Sequence, residues 1–220
     1  EMGTNFEEEI VAAVEGLIRA KHIDTEELLG IALAAPGPIN SKQGIMLGVP
    51  GNGLKVSEAP FDWRNVDIAA IIGDRFGVPV FADNEANVAA LGESWFGAGV
   101  EFNNFVLYSV GLGIGSGVII DGMLYRGDDD VVSEIGHITI DYRGPKCICG
   151  NIGCLELYAG FKRLLDLYKD AGAGPTGVFT PKDHAVIARE VEQIFARASM
   201  DDAAAKHALL ELGRFLGIGA

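Results

Sequence analysis

The stretch EIGHITIDYRGPKCICGNIGCLE, residues 134–156, carries the deciding pattern. It holds all three cysteines of the chain and one of its four histidines. Cys147, Cys149 and Cys154 stand as C-x-C-x4-C, and His137 lies ten residues before the first of them. Three thiolates and one imidazole make a complete tetrahedral set for structural zinc. Gly144, Gly150 and Gly153 let the backbone turn tightly enough to aim four side chains at one point. A disulfide would require an oxidising compartment and would strand one cysteine. A thiol nucleophile has no use for two more thiols at this spacing. Glu134 and Glu156 flank the set, so the metal can brace a site without performing chemistry.

Working outward, the 220 residues are 49% hydrophobic, enough for a substantial core in one large domain or two small ones. The 30 glycines sit between apolar runs and mark tight loops, not low complexity. A formal charge of −14 argues against a nucleic-acid surface on this segment, because phosphate binding needs clustered Lys and Arg. No apolar run is long enough to span a membrane. The opening EMGTNFEEEIVAAVEGLIRA is acidic and helical, unlike a signal peptide. Together these fit a cytoplasmic protein. The chain opens directly into a helix and ends at LLELGRFLGIGA with an apolar period still running, so it reads as a piece of a longer protein.

Residues 5–21 place Phe6, Ile10, Val14, Leu17 and Ile18 at helical spacing, with acids near the start where the helix dipole favours them. LLGIALAAP (28–36) reads as a buried strand ending in Pro36-Gly37-Pro38, and 40–62 as loop with a short strand at GIMLGV. A helix over 66–76, a buried strand over 78–84 and a helix over 86–96 follow. Residues 102–127 read as a β-hairpin around a glycine-rich turn, with a second turn at Asp121-Gly122. Periodicity predicts helices over 155–170, 182–197 and 202–218, with a polar stretch at 171–181. Strands alternating with helices predict an α/β fold with a mixed sheet.

Two further segments could carry chemistry. Asp83-Asn84-Glu85-Ala86-Asn87 puts four polar groups into five residues where a strand ends and a helix begins. Ligands bind at that end of α/β strands, and carboxylates with amides suit sugar hydroxyls. Helix capping is the plainer use of such residues, though capping needs one of them, not four. Gly111-Leu112-Gly113-Ile114-Gly115-Ser116-Gly117 could cradle phosphate with backbone N–H groups at Gly111, Gly113, Gly115 and Ser116. A strand follows it where a dinucleotide fingerprint needs a helix, and no Gly-Lys-Ser/Thr is present. A plain hairpin turn explains the glycines equally well.

APGPIN (35–40), DNEANVAALGE (83–93), VGLGIGSGVIIDGMLYRG (110–127), EIGHITI (134–140) and CICGNIGCLE (147–156) occur in an order that resembles the ROK family of repressors, open-reading-frame proteins and sugar kinases. The resemblance implies an actin-like ATPase (ribonuclease H-like) fold with two lobes, mixed sheets and a zinc-braced loop, and a sugar bound in the cleft between the lobes. It implies zinc on His137, Cys147, Cys149 and Cys154. Asn84, Glu134, His137 and Glu156 match family sugar contacts, with the two ring nitrogens of His137 dividing metal and sugar between them, and Glu85 is read as a further residue holding the sugar hydroxyls. On this plan residues 1–83 are part of an amino-terminal lobe lacking its first strands. Residues 84–220 form a carboxyl-terminal lobe with the zinc loop at 134–156 and a truncated end.

The departures from the family pattern bear on function. Family kinases carry Asn-Asp-x-Asn, whose Asp is the general base; here the stretch is Asn84-Glu85-Ala86-Asn87. An extra methylene moves the base by about an ångström, a displacement costly in catalysis. Leu112 replaces the threonine that kinases offer to phosphate, and the Asp-Gly-Gly phosphate loop and adenosine-binding elements are absent from this chain. The Asn-Glu-Ala-Asn version resembles the xylose-repressor branch. The implied function is the sugar-sensing part of a dimeric or tetrameric repressor whose DNA-binding domain lies outside this chain. The alternative is an ATP- and Mg²⁺-dependent hexose kinase with Glu85 as catalytic base.

Overall fold

The computed structural model describes residues 6–48, 65–128, 130, 132–170 and 184–220. Most of the 40–62 loop and the 171–181 stretch lie outside them. The described residues divide into two units. One holds 6–48, 65–105 and 117–132, the other 106–116, 133–170 and 184–220. Both are discontinuous in sequence, and the strand at residues 114–120 passes from one into the other.

In the first unit, helix α1 (Phe6–Lys21) packs Ile10 and Val14 on the core and leaves Leu17 exposed. Strand β1 (Ile31–Ala35) runs parallel to β5 (Val80–Asn84), pairing Ile31 with Val80 through Ala35 with Asn84. The expected buried strands are buried in part: Ile31, Leu33 and Val80 pack on the core and Asp83 is buried, while Phe81 is 69% exposed. Short strands β2 (Ile39–Asn40), β3 (Ile45–Met46) and β4 (Val66–Asp67) form an antiparallel sheet. Helix α2 (Ile68–Phe76) starts on the Asp67 side chain, which accepts the Ala70 N–H, and sends Ile68 and Ile72 into the core. Helix α3 (Glu85–Phe96) follows β5 without a linker.

The glycine-rich hairpin forms as its pattern predicts. Strands β6 (Phe105–Val110) and β7 (Ile114–Ile120) flank residues 111–113, and β8 (Met123–Leu124) returns after Asp121-Gly122 to pair with the end of β7. Asp121 and Gly122 have φ of 51° and 75°, the positive values a two-residue hairpin turn needs.

The second unit packs helices around Leu155, Leu164, Leu165, Ile187, Ile194 and Leu212. Helix α6 (His184–Ser199) and helix α7 (Ala203–Gly219) lie within two residues of their periodicity. Asp202 starts α7 by accepting the Ala205 N–H. The single helix expected over 155–170 is broken into α4 (Glu156–Ala159) and α5 (Phe161–Asp170). The break is tertiary in origin. The Phe161 N–H turns to Gly111 O at 2.7 Å, and a Cβ on Gly160 would stand 2.9 Å from Leu112 O. The glycine turn therefore lies too close for any larger residue at 160. Among the described residues, no helix is long and apolar enough to cross a membrane.

Candidate functional site

The Cys/His quartet assembles from four points of a short, backbone-bonded loop. His137 closes a single 3₁₀ turn, Ile135–His137. From there Ile140 N–H bonds to Gly153 O, Cys147 N–H to Asn151 O, Gly153 N–H to Pro145 O and Leu155 N–H to Ile138 O. These bonds fold the loop back on itself and bring the three cysteines to His137. The four donor atoms lie within 4.8 Å of one another. Cys149 Sγ is 3.6 Å from Cys154 Sγ, and Cys147 Sγ is 3.6 Å from His137 Nδ1. A tetrahedral site with metal–sulfur bonds of about 2.3 Å sets its sulfurs about 3.8 Å apart, so the spacing fits one ion. Burial pushes the Cys147 and Cys154 thiols up, with further upward pressure on Cys147 from Glu156 and on Cys154 from Cys149. A bound cation supplies the countercharge that lets such thiols ionise.

Gly153 is the residue this loop cannot exchange. Its φ is +64°, and a Cβ there would fall 1.8 Å from Asp141 O. Gly153→Ala is expected to cost about 3 kcal/mol, combining a left-handed backbone penalty with a clash against main chain. The checks are chemical denaturation and metal content, and retention of both would show that the loop adapts.

Glu156 stands on the quartet, and Glu134 opens the turn that carries His137. Glu156 Oε1 lies 3.2 Å from Cys147 Sγ and 3.4 Å from His137 Nδ1. Its Oε2 faces the glycine turn, 3.2 Å from where a Cβ on Gly113 would be. Burial raises the Glu134 carboxyl above the usual range, and the negative charge of Glu156 adds to this while His137 opposes it. Glu134, His137 and Glu156 thus form one electrostatically linked set in the second unit. Tyr158 supports the loop from behind, its hydroxyl donating to Asp141 Oδ2 at 3.1 Å.

Asn84 and Glu85 lie in the first unit. Asn84 caps α3, its Oδ1 accepting from Ala86 N–H at 2.9 Å and Asn87 N–H at 3.4 Å. Its Nδ2 donates to Gly37 O at 3.1 Å and to Glu85 Oε2 at 3.0 Å. Capping therefore accounts for Asn84, and the four polar groups do not act alike. Asp83 and Asn87 are buried and bonded to each other at 3.1 Å. Asp83 also pairs with Arg126 at 2.6 Å, a partner that the local pattern of residues 83–87 does not announce.

In the glycine turn, Gly111 N–H is taken by Gly113 O at 2.9 Å. Gly115 and Ser116 belong to β7, and the Ser116 hydroxyl is buried against Ser133, donating to its carbonyl at 2.5 Å. The Gly111 N–H and the Ser116 hydroxyl thus already have protein partners.

Comparison with known proteins adds four findings. The ROK family model matches residues 2–220. A xylose repressor of Bacillus spizizenii is 40% identical over 192 residues, which is 87% of this chain and 44% of that protein. Among solved structures, a ROK family transcriptional regulator homologous to the E. coli MLC protein aligns at 30% identity with a TM-score of 0.74, covering 97% of this chain and 51% of that one. A ROK glucokinase from Streptomyces griseus, solved with glucose and AMPPNP, aligns at 30% identity and a TM-score of 0.77, covering 96% and 66%. The chain spans about half the length of the xylose repressors it matches.

Proposed function

The chain belongs to the ROK family, with its actin-like ATPase fold, and on that premise we propose that it is the sugar-sensing portion of a transcriptional repressor. The observation that carries this reading is Glu85. Where family kinases hold an aspartate base, this chain has the longer acid, and its carboxylate is folded back to accept the Asn84 side-chain amide at 3.0 Å. A carboxylate held by its own neighbour is suited to gripping a hydroxyl and poorly suited to in-line proton abstraction. The 40% identity to a xylose repressor supports the same side.

Asn84, Glu85, Glu134, His137 and Glu156 are the proposed sugar contacts. Zn²⁺ is the ion whose preference for three thiolates and one imidazole matches His137, Cys147, Cys149 and Cys154, and in such a closed set it supplies rigidity, not reaction. His137 turns Nδ1 toward Cys147, which leaves Nε2 for a sugar hydroxyl. Relatives about twice as long as the matched stretch supply the rest of the plan. On that plan DNA contact, which a charge of −14 disfavours here, belongs to the other half of the protein, and the assembly is a homodimer or homotetramer. Sugar binding shifts the repressor only if the DNA-competent and incompetent states differ in sugar affinity.

The likeness to a glucokinase solved with glucose and AMPPNP keeps a second reading in view: an ATP- and Mg²⁺-dependent hexose kinase with Glu85 as base. The intact protein is expected to show thermal stabilisation with D-xylose or another simple sugar. ATP turnover with glucose, N-acetylglucosamine, mannose or xylose is expected to be negligible. Robust turnover would end the repressor reading.

A further inference from the structure

One guanidinium in the first unit does more than neutralise an acid. Arg126, just past β8, is two-thirds buried and reaches three partners. Its Nη2 lies 2.6 Å from Asp83 Oδ2, its Nη1 donates to Ser41 Oγ at 2.9 Å, and the same Nη1 stands 3.8 Å from Asp130 Oδ1. Asp130, itself buried, accepts the Ser41 N–H at 3.1 Å and the Ser41 hydroxyl at 3.2 Å. Both carboxylate oxygens of Asp83 are engaged. While Oδ2 faces Arg126, its Oδ1 takes the Asn84 N–H at 2.8 Å and the Asn87 side-chain amide at 3.1 Å.

The chain of contacts therefore runs from Arg126 through Asp83 to the backbone of Asn84 and the side chain of Asn87, the two residues that set how β5 turns into α3. Arg126 also bonds Ser41, just after β2, and the turn just before β2 holds the Gly37 carbonyl that receives the Asn84 side chain. Two buried carboxylates share one cation, and the planar fork of arginine is what allows separate nitrogens to serve Asp83 and Ser41 at once. A lysine keeps the charge but offers one nitrogen at one point.

We propose that Arg126 is a positioning residue: by gripping Asp83 and Ser41 together it fixes the Asn84-Glu85 turn in the conformation that receives sugar. The role rests on the sugar-binding reading above, though its geometric half can be measured without any sugar. Arg126→Lys tests it in the intact protein, because Arg126→Ala would leave Asp83 and Asp130 unneutralised and risks the fold. Ser41→Ala is the second variant, removing one anchor with no change in charge.

Hydrogen exchange at the Asn84, Ala86 and Asn87 amides is expected to quicken about tenfold in Arg126→Lys and about threefold in Ser41→Ala, as for losing a charge-assisted and an ordinary hydrogen bond. Amides of α7 should be unchanged. Affinity for D-xylose, or for glucose if xylose does not bind, should fall by similar factors in calorimetry. Wild-type exchange at the turn in both variants overturns the proposal. Unchanged exchange with weakened sugar binding also overturns it, by making Arg126 a direct contact. Faster exchange in a protein that binds neither sugar supports the positioning role and sinks the sugar reading instead.

Discussion

Stripping the metal with a chelator is expected to lower the melting temperature by about 10 °C and to abolish sugar-induced stabilisation. The estimate follows from what the quartet holds. Cys154 and Leu155 are completely buried, and the strand-like bonds from Ile140 to Gly153 and from Leu155 to Ile138 hang the loop on the helical core. Structural zinc contributes about 10–16 kcal/mol to small zinc-dependent peptides. Here the helices provide most of the framework, so a loss of about 4 kcal/mol is reasonable, at about 2–4 °C per kcal/mol for a chain of this size. Cys154→Ser should act in the same direction. Purified protein should carry about one zinc per chain, and a melting curve unmoved after verified metal loss would remove the brace from the account.

The pH dependence separates the two forms by sign. In metal-free protein the thiols of Cys147 and Cys154 are pushed above their ordinary value by burial. The folded state then keeps protons that the unfolded chain releases. Its stability is full below the ordinary thiol value of about 8.5 and falls as pH rises from there toward the raised folded values. Metal loading demands thiolates, so it releases protons, and the loaded form weakens as pH falls. Melting curves at several pH values should therefore slope in opposite directions with and without metal. Parallel slopes would count against metal binding by these thiols.

How much of this was readable beforehand depended on how local each signal is. The quartet is legible because cysteine and histidine are scarce here and a metal imposes a discrete count of donors. Helices α6 and α7 are legible because their apolar faces meet one core. The break at Gly160 is not, since its cause is the Gly111 and Leu112 carbonyls, far away in sequence. Nor could residues 83–87 be sorted in advance. Four polar side chains look equivalent until Arg126 claims Asp83 and the start of α3 claims Asn84. The actin-like fold came from motif order and not from periodicity, which alone reaches no further than α/β.

Glu156→Gln is expected to weaken sugar binding about 30-fold while leaving the zinc content intact, a loss of about 2 kcal/mol for a charged acceptor. Glu156 Oε1 accepts from the Cys147 thiol at 3.2 Å. Once that thiol is ionised it has no proton to donate, and thiolate and carboxylate repel. The side chain must then find donors elsewhere, and sugar hydroxyls are such donors. Glu134 is under the same pressure, its carboxyl raised by burial and by Glu156. Sugar hydroxyls donated to both acids would supply each carboxylate with a hydrogen-bond partner. Glutamine removes the charge of the acceptor, whereas Glu156→Ala removes the acceptor and opens space. Thermal shifts with D-xylose and metal analysis on both variants decide the matter. An unchanged sugar shift would displace Glu156 from the pocket. Parallel loss of zinc would make it part of the brace, because a group that only meets the sugar has no reason to hold the metal.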